Sequence, residues 1–279
     1  MKTVLSSKSK EVVIDTDGPV VVIGECINPT RRKKLVSTLQ EKSFDYVLEL
    51  AESQIKSLAD VLDVNVGFPG VDDVMLLPET VRAIQEKFDI PLCLDSPNPK
   101  AIEAGLKAAG GKCLINSVNG EEKSMAAILP IAHEYGSAVI ALAMDEEGIS
   151  PDPQKRLAVA EKILNRAVQT GIKAEDVIID PIAMAVSADP ATCVVTLETM
   201  RLVHNKLGHN ITIGASNISF GLPNREVLNA AFISLAIQNG LTCPIANPEK
   251  IVAAIRATDL LLGRDMYAMR YIEHYHSTE

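Results

Sequence analysis

The stretch PLCLDSPNPKAIEAGLKAAGGKCLINS (91–117) contains one complete unit of the fold. It opens with a short apolar run, PLCLD, and closes with another, KCLINS. Between them, Asn98-Pro99 marks a helix start, because the asparagine side chain can accept an unpaired backbone N–H and proline there loses no needed donor. The stretch therefore predicts a strand, a helix and a second strand, the repeating unit of a parallel sheet.

Runs of the same kind recur along the chain, each followed by a polar cluster and a helical segment. They are apolar throughout, as strands are when helices cover a parallel sheet. The eight runs are VVVIG (20–24), VLDVNV (61–66), PLCLD (91–95), KCLINS (112–117), AVIALAM (138–144), VIIDP (177–181), ITIGAS (211–216) and CPIAN (243–247). Eight runs in one βα rhythm predict a TIM barrel, the closed (β/α)8 fold of the α/β class.

The segments between the runs carry helix signals. Three more pairs predict helix starts in the same way: Asp152-Pro153, Asp189-Pro190 and Asn247-Pro248. In NREVLNAAFISLAIQNG (224–240), a stripe of apolar residues at helical spacing predicts the face that packs on the barrel, and Gly240 predicts the helix end. The stripe consists of Val227, Leu228, Ala231, Phe232, Leu235 and Ala236.

The residues before the first barrel strand predict a separate small element. EVVID (11–15), followed by Thr16-Asp17-Gly18, has the pattern of a short strand and a turn. We interpret the N-terminus as a short hairpin that plugs the bottom of the barrel. No linker or low-complexity tract interrupts the chain, so the sequence predicts a single barrel domain over residues 1–279.

Composition narrows the class of function. Acidic residues outnumber basic ones by 36 to 27, and the resulting net charge of −9 argues against nucleic-acid or anionic-membrane binding. The chain shows neither the apolar core of a signal peptide nor a transmembrane-length apolar run. The cysteines form no C-x-x-C pair, and Cys93, Cys113 and Cys243 lie in predicted strands, which favours buried reduced thiols. We therefore expect a cytoplasmic protein.

In a (β/α)8 barrel the chemistry lies at the C-terminal ends of the strands, so polar residues there are site candidates. These ends lack lysine and histidine, which disfavours a Schiff-base aldolase and a binuclear metallohydrolase, and no metal site is expected. The polar residues at the strand ends are Glu25, Asn28, Asp63, Asn65, Asp95, Ser96, Asn116, Ser117, Asp145, Asp180, Ser216, Asn217 and Asn247.

Any one of these residues could simply cap the helix that follows it. Together they suit a flat, neutral heterocycle whose edge alternates hydrogen-bond donors and acceptors. A carboxylate such as Asp95 or Asp180 can accept two hydrogen bonds from an N–H/NH2 pair. A carboxamide such as Asn116 can meet a carbonyl and a neighbouring ring nitrogen. A pterin presents an edge of this kind.

Seven segments resemble the tetrahydrofolate-linked corrinoid methyltransferases, which include methyltetrahydrofolate:corrinoid/iron–sulfur protein methyltransferase and relatives in demethylation systems. The segments are GECIN (24–28), DVNVG (63–67), LCLDS (92–96), AIEAGL (101–106), INS (115–117), IDP (179–181) and ASNISFGLPNR (215–225). The resemblance implies a pterin-binding barrel of one-carbon metabolism. It implies transfer of a methyl group between N5 of tetrahydrofolate and the methylcobalamin of a corrinoid protein.

The resemblance also implies roles for particular residues. The residues implied to bind the pterin ring are Asp95, Asn116 and Asp180. The residues implied to line the path of the aminobenzoate–glutamate tail are Gly214, Ser216, Phe220 and Arg225. Asn217 is implied to contact the substrate near N5, where the methyl group is gained or lost, and is the predicted catalytic residue.

The resemblance further implies a homodimer that takes tetrahydrofolate or 5-methyltetrahydrofolate as substrate. Cobalamin would be carried by a separate partner protein, since the chain has no D-x-H-x-x-G element of its own. Two alternatives stay open. A dihydropteroate synthase-like enzyme would carry Ser-Arg-Lys where this chain has Ser216-Asn217-Ile218, and a non-catalytic folate-binding subunit would bind without turnover. The sequence leaves open the direction of transfer, the original methyl donor and the preferred glutamate number.

Overall fold

The computed structural model describes residues 1–278, and its architecture confirms the predicted TIM barrel with a short N-terminal hairpin. The hairpin strands are β1 (Lys2–Ser6) and β2 (Glu11–Asp15). The barrel strands are β3 (Ile23–Ile27), β4 (Val61–Asn65), β5 (Leu92–Asp95), β6 (Leu114–Asn119), β7 (Ala138–Leu142), β8 (Val177–Asp180), β9 (Thr212–Gly214) and β10 (Cys243–Ala246).

The barrel strands are all parallel and lie in the order β8-β7-β6-β5-β4-β3-β10-β9. A parallel bridge between Ile179 and Ile211 joins the two ends of this order and closes the ring. The helices are α1 (Lys33–Gln40), α2 (Asp45–Lys56), α3 (Asp73–Lys87), α4 (Pro99–Ala108), α5 (Glu122–Glu134), α6 (Pro153–Thr170), α7 (Thr192–Leu207), α8 (Arg225–Gln238), α9 (Pro248–Leu261) and α10 (Met269–Thr278).

The hairpin closes the bottom of the barrel, as predicted. The backbone N–H of Ser6 donates to the carbonyl of Lys112 (3.0 Å), just before β6. Asn210, just before β9, donates from Nδ2 to both the Thr3 hydroxyl and the Ile14 carbonyl, each at 2.9 Å. Since these partners precede barrel strands, the hairpin lies against the N-terminal ends of the strands and leaves the C-terminal ends open.

Two apolar clusters hold the barrel together. The larger lies between the strands and the surrounding helices. The smaller fills the lower barrel interior and includes hairpin side chains; its members are Leu5, Val12, Ile14, Val21, Ile23, Val61, Cys93, Leu114, Ala138, Ile140, Ile178, Cys243 and Ile245. The five cysteines are all free thiols, and the expected burial of Cys93, Cys113 and Cys243 is confirmed.

Two of the predicted element starts are wrong. The first barrel strand begins at Ile23, because two of the three N–H groups before it bond to side chains at the barrel bottom: the Val20 N–H donates to Asp259 and the Val22 N–H to Asp60. Asp189-Pro190 does not begin a helix, since α7 starts at Thr192 and the Asp189 carboxylate accepts from Ala191 in the preceding turn. The other Asx-proline pairs do cap helices, as predicted.

The predicted inner face of α8 is only partly correct. Phe232 and Ala236 are buried, but Val227 and Leu235 are exposed, and Ile233 is buried instead. Both sides of this helix carry apolar residues, so helical spacing alone does not decide which side packs on the barrel. Within residues 1–278, none of the helices combines the length and hydropathy needed to span a bilayer.

Candidate active site

Three neighbouring strands bring polar side chains to one level of the upper rim. Asn65 at the end of β4 is paired in register with Asp95 of β5, and Asp95 is paired with Asn116 of β6. Parallel strands present their C-terminal ends on the same side, so residues that are far apart in sequence become neighbours here. Two predicted pterin ligands, Asp95 and Asn116, are therefore adjacent.

Hydrogen bonds fix the orientation of both of these ligands. Nδ2 of Asn65 donates to Oδ2 of Asp95 (2.9 Å), and Nδ2 of Asn116 donates to Oδ1 of Asp63 (3.2 Å). With its NH2 group held by Asp63, Asn116 keeps its amide oxygen available to a ligand. Asp63 and Asn65 were recognised as polar strand residues but not assigned to the site. The signal was their two-residue spacing in β4, which turns both side chains inward.

The two carboxyl groups of this cluster differ in exposure, since Asp63 is buried and Asp95 is partly buried. Burial, together with the negative charge of Asp95, raises the pKa of Asp63. Burial also raises the pKa of Asp95, against the lowering effect of its hydrogen bond from Asn65. Buried carboxyl groups whose pKa values are perturbed by a specific partner are typical of functional sites.

A cavity of about 490 Å³ opens beside this cluster, within the size range of small-molecule sites. The structure brings Asp95 and Asn116 to its wall, while Asp180 lies outside its lining. The lining residues are Asp95, Ser96, Pro97, Pro99, Asn116, Ser117, Asn119, Glu121, Lys123, Ser124, Ala127, Ile128 and Leu142. The lining thus combines carboxyl, amide and hydroxyl groups with apolar side chains of α5, Ala127 and Ile128.

Asp180 ends β8, two strands further round the rim, and is paired in register with Leu142 of β7. Burial raises the pKa of Asp180 to about 7, although the Ile182 N–H and the Arg156 charge both favour its ionised form. This carboxyl group therefore titrates near neutral pH. Arg156 is not among the predicted site residues, since it lies in the first turn of α6 and no strand-end pattern marks it.

The connection after β9 carries the predicted catalytic residue. Ala215–Asn217 form one turn of 3-10 helix, in which the Ser216 hydroxyl donates to Oε1 of Glu25 (2.6 Å). Burial raises the pKa of Glu25, and the bond from Ser216 together with the charge of Arg32 opposes that effect. Glu25 belongs to the polar strand-end set but was not assigned a role, and the structure places it beside the Asn217 turn.

Asn217 itself is exposed at the barrel mouth. A Cβ atom at position 214 would lie 3.0 Å from Nδ2 of Asn217, closer than ordinary packing allows. Gly214, predicted as a contact of the substrate tail, thus also gives the Asn217 side chain room. The sequence motif marked both residues but did not reveal this relation.

Phe220 and Arg225 lie on the same connection. The guanidinium of Arg31 stacks over the Phe220 ring, 4.6 Å from its centroid, and Phe220 is half exposed. Arg225 donates from Nη2 to the Ser216 carbonyl (2.6 Å) and from Nε to the Ser219 hydroxyl (3.0 Å). Through these two bonds, Arg225 stabilises the segment that contains Asn217.

Comparison with known proteins agrees with this geometry. The sequence profile of the family described as "Pterin binding enzyme" matches residues 24–247, from the start of β3 to the residue after β10. The chain belongs to this family. The matched residues of this pterin-binding enzyme include all the strands that contribute to the candidate site.

Curated relatives support the more specific resemblance. The chain is 29% identical to the methylcorrinoid:tetrahydrofolate methyltransferase of Eubacterium limosum, and the match covers 90% of this chain and 94% of that protein. It is 30% identical to the methionine synthase of Mycobacterium tuberculosis (strain ATCC 25618 / H37Rv) over 89% of this chain. The match covers only 22% of that methionine synthase, so this chain corresponds to one part of it.

Solved structures with the same fold include dihydropteroate synthases. The Yersinia pestis dihydropteroate synthase in a sulfonamide drug complex superimposes with a TM-score of 0.75 at 17% identity, over 94% of this chain and 99% of that one. The 7,8-dihydropteroate synthase of Vibrio fischeri ES114 gives a TM-score of 0.72 at 18% identity, over 94% of this chain and 99% of that one. At these identities the likeness shows the barrel fold alone.

Proposed function

We propose that this pterin-binding enzyme is a methyltransferase that moves a methyl group between a corrinoid protein and N5 of tetrahydrofolate. The observation that carries the proposal is the upper rim of the barrel. There, Asp95 and Asn116 are adjacent, Asp180 follows along the same rim, and Asn217 is exposed at the mouth. The Eubacterium limosum relative, which matches along nearly its full length, is a methylcorrinoid:tetrahydrofolate methyltransferase, and this similarity supports the same reaction.

The rim residues suit pterin recognition. The Asp95 and Asp180 carboxylates accept hydrogen bonds from ring N–H and NH2 groups, and the Asn116 amide oxygen accepts a further one. Because Asp180 is buried and Asp95 and Asn116 are partly buried, each bond contributes more than it would at a fully exposed surface. Gly214, Ser216, Phe220 and Arg225 would then lie along the aminobenzoate–glutamate tail. In this role the Phe220 ring offers a face for stacking.

Asn217 would handle the two protonation states of N5. When a methyl group leaves N5, the departing amine must gain a proton; when N5 attacks a methyl group, its lone pair must be free. A carboxamide serves both states by rotation, because its NH2 donates to unprotonated N5 and its oxygen accepts from protonated N5. The exposure of Asn217 and the space left by Gly214 allow this rotation.

The corrinoid supplies the cobalt centre that gives or takes the methyl group, and it would be a substrate presented by a partner protein. The hairpin closes only the lower end of the barrel, which leaves the upper mouth accessible to a large partner. Positioning two large substrates in line would supply much of the rate enhancement.

We further propose that the enzyme is a cytoplasmic homodimer. Free buried thiols suit a reducing compartment. Exposed apolar side chains on α8 and at the end of α9, among them Val227, Leu235 and Leu261, suit a protein–protein contact. Sedimentation velocity at several concentrations measures the oligomeric state, and a monomer at all of them would contradict the dimer.

The function is tested by mixing the protein with tetrahydrofolate and methylcob(III)alamin, and separately with 5-methyltetrahydrofolate and cob(I)alamin. The cobalamin spectrum reports transfer, and we expect it to exceed the protein-free control in at least one direction. Formation of dihydropteroate and pyrophosphate from a hydroxymethyldihydropterin pyrophosphate and p-aminobenzoate, with no methyl transfer, would establish the synthase alternative. Tight folate binding without any turnover, including with corrinoid proteins as acceptors, would instead identify a folate-binding subunit.

A further inference from the structure

The turn that follows β8 controls the orientation of Asp180. Its backbone N–H at Ile182 donates to Oδ1 of Asp180 (2.7 Å). Ile182 adopts a left-handed conformation with φ of 66°, which is unusual for a β-branched residue. Among residues 1–278, the other carboxylate oxygen, Oδ2, makes no hydrogen bond. The backbone of the turn therefore sets the direction of the carboxylate and leaves one oxygen for a ligand.

Two buried side chains from the surrounding helices hold this turn. Nη1 of Arg156, on α6, donates to the carbonyls of Pro181 (2.8 Å) and Ile182 (3.0 Å), while its Nε donates to the Ser150 carbonyl (2.6 Å). The hydroxyl of Thr196, on α7, also donates to the Ile182 carbonyl (2.9 Å). Arg156 is only 2% exposed, so its charge has been placed in the protein interior against a substantial desolvation cost.

We propose that Arg156 and Thr196 are positioning residues, a clamp that holds the turn after β8 so that the Asp180 carboxylate stays oriented for the pterin. The inference rests on the proposed function for the identity of the ligand. The role of the clamp is to orient the Asp180 carboxylate, in addition to any contribution that Arg156 and Thr196 make to packing. A buried arginine that donates to two successive backbone carbonyls of this turn, and to a third before α6, fixes a strained conformation that would otherwise relax.

The clamp also acts through charge. The titratable groups that interact with Asp180 are Arg156 from α6 and the Cys243 thiol from β10. Burial raises the pKa of Cys243 to about 12, so this thiol is neutral and Arg156 supplies the compensating charge. Removing that charge would raise the pKa of Asp180 further, since an unpaired buried carboxylate is less favourable than a protonated one.

Calorimetric titration with tetrahydrofolate separates the two effects. Wild-type affinity should fall as the pH drops through about 7, where Asp180 protonates and can no longer accept two hydrogen bonds. Thr196→Val removes one hydrogen bond and no charge, so affinity should fall about fivefold with an unchanged pH midpoint. Thr199→Val is the matched control, since this buried threonine on α7 bonds only to its own helix, at the Val195 carbonyl, and affinity should not change.

Arg156→Gln removes both the positive charge and the guanidinium group that donates to the backbone carbonyls. It should lower affinity by tenfold or more and move the pH midpoint upward, whereas a purely structural residue would change the melting temperature but not the midpoint. Arg156→Lys keeps the charge but not the several donors of the guanidinium group. It should restore the wild-type pH midpoint and only part of the tetrahydrofolate affinity. Should neither arginine variant fold, Thr196→Val against Thr199→Val still tests the clamp.

The proposal is overturned if the folded variants bind tetrahydrofolate with wild-type affinity and midpoint. A second readout does not depend on the ligand: infrared spectroscopy of the protonated carboxyl band in the unliganded protein, assigned with Asp180→Asn. A shift of this titration to higher pH in Arg156→Gln supports the clamp even if wild-type protein binds no folate, an outcome that would refute the proposed function alone. An unshifted titration refutes the clamp whatever the ligand.

Discussion

The lower and upper halves of the barrel are built from the same strands but have opposite character. At the bottom, inward side chains such as Ile23, Val61 and Ile178 pack with hairpin residues in a dry apolar cluster. At the top, the same strands turn carboxyl and amide groups inward, several of them buried. Within β4, the change takes only two residues, from Val61 to Asp63.

This difference shows that stability and chemistry are separated along the strand direction. Burying apolar surface stabilises the bottom, whereas burying Asp63, Asp95 and Asp180 raises their pKa values and disfavours their ionised forms. The top is therefore an environment in which a ligand with N–H donors can replace lost water. The bottom must supply the stability that such a site requires.

The largest effect on stability is expected at the bottom, from Ile14→Ala. Ile14 is fully buried between hairpin and barrel, so the truncation should lower the free energy of unfolding by about 2–5 kcal/mol. Urea unfolding measures this, with methyl transfer of the folded fraction unchanged. Val13→Ala is the matched control on the same strand, because Val13 is 45% exposed and should change stability by less than about 0.5 kcal/mol.

The opposite pattern is expected at the mouth, from Asn217→Ala. Because the residue is exposed, unfolding should be nearly unchanged, whereas the methyl-transfer rate should fall on the order of 100-fold through loss of one preorganised donor. Single-turnover measurement of the cobalamin spectrum gives the rate. A rate within about threefold of wild type would remove Asn217 from the mechanism.

A smaller effect, on tetrahydrofolate affinity, is expected for Asp95→Asn. The substitution places an NH2 donor where a carboxylate oxygen would accept a hydrogen bond from a pterin ring N–H. Tetrahydrofolate affinity measured by calorimetry should fall roughly 10- to 100-fold, the range for hydrogen bonds to charged groups. Asp145→Asn tests whether rim position alone matters, since the Asp145 carboxylate accepts from Glu147 within its own turn. Equal losses in the two variants would contradict a specific role for Asp95.

The smallest effect concerns Asp63 and the pH dependence of stability. Its pKa in the folded state is raised, so the folded protein holds this proton more tightly than the unfolded chain, and stability declines as the pH rises towards the folded pKa. Asp63→Asn removes this titration, and the decline between pH ~5 and ~8 should be smaller by roughly 1–3 kcal/mol. Urea unfolding at several pH values checks this, and parallel curves for the two proteins would contradict it.

Much of the fold could be predicted because its signals are local. Apolar runs, Asx-proline caps and the strand before Gly18 each depend on a few adjacent residues. The exceptions have non-local causes. Residues 20–22 are as apolar as a strand, but the N–H groups of Val20 and Val22 donate to the Asp259 and Asp60 carboxylates. In α8 both faces are apolar, and only the barrel decides that Ile233 is inside and Leu235 outside.

The candidate site was predicted residue by residue, but its connections were not. Strand ends and the family resemblance marked Asp95, Asn116 and Asp180. The bond from Asn116 to Asp63 depends on strand register, and the contacts of Arg156 depend on how α6 lies against the β8 turn. Neither contact can be predicted from a pattern in a single sequence, since both join residues that become neighbours only in the folded barrel.

The most direct test of the proposed function is a crystal structure of the protein with 5-methyltetrahydrofolate. We expect the pterin ring at the upper rim, within hydrogen-bond distance of Asp95, Asn116 and Asp180, with N5 towards the Asn217 amide and the tail passing Phe220. A pterin bound elsewhere on the molecule, or bound at this rim with N5 directed away from Asn217, would contradict it.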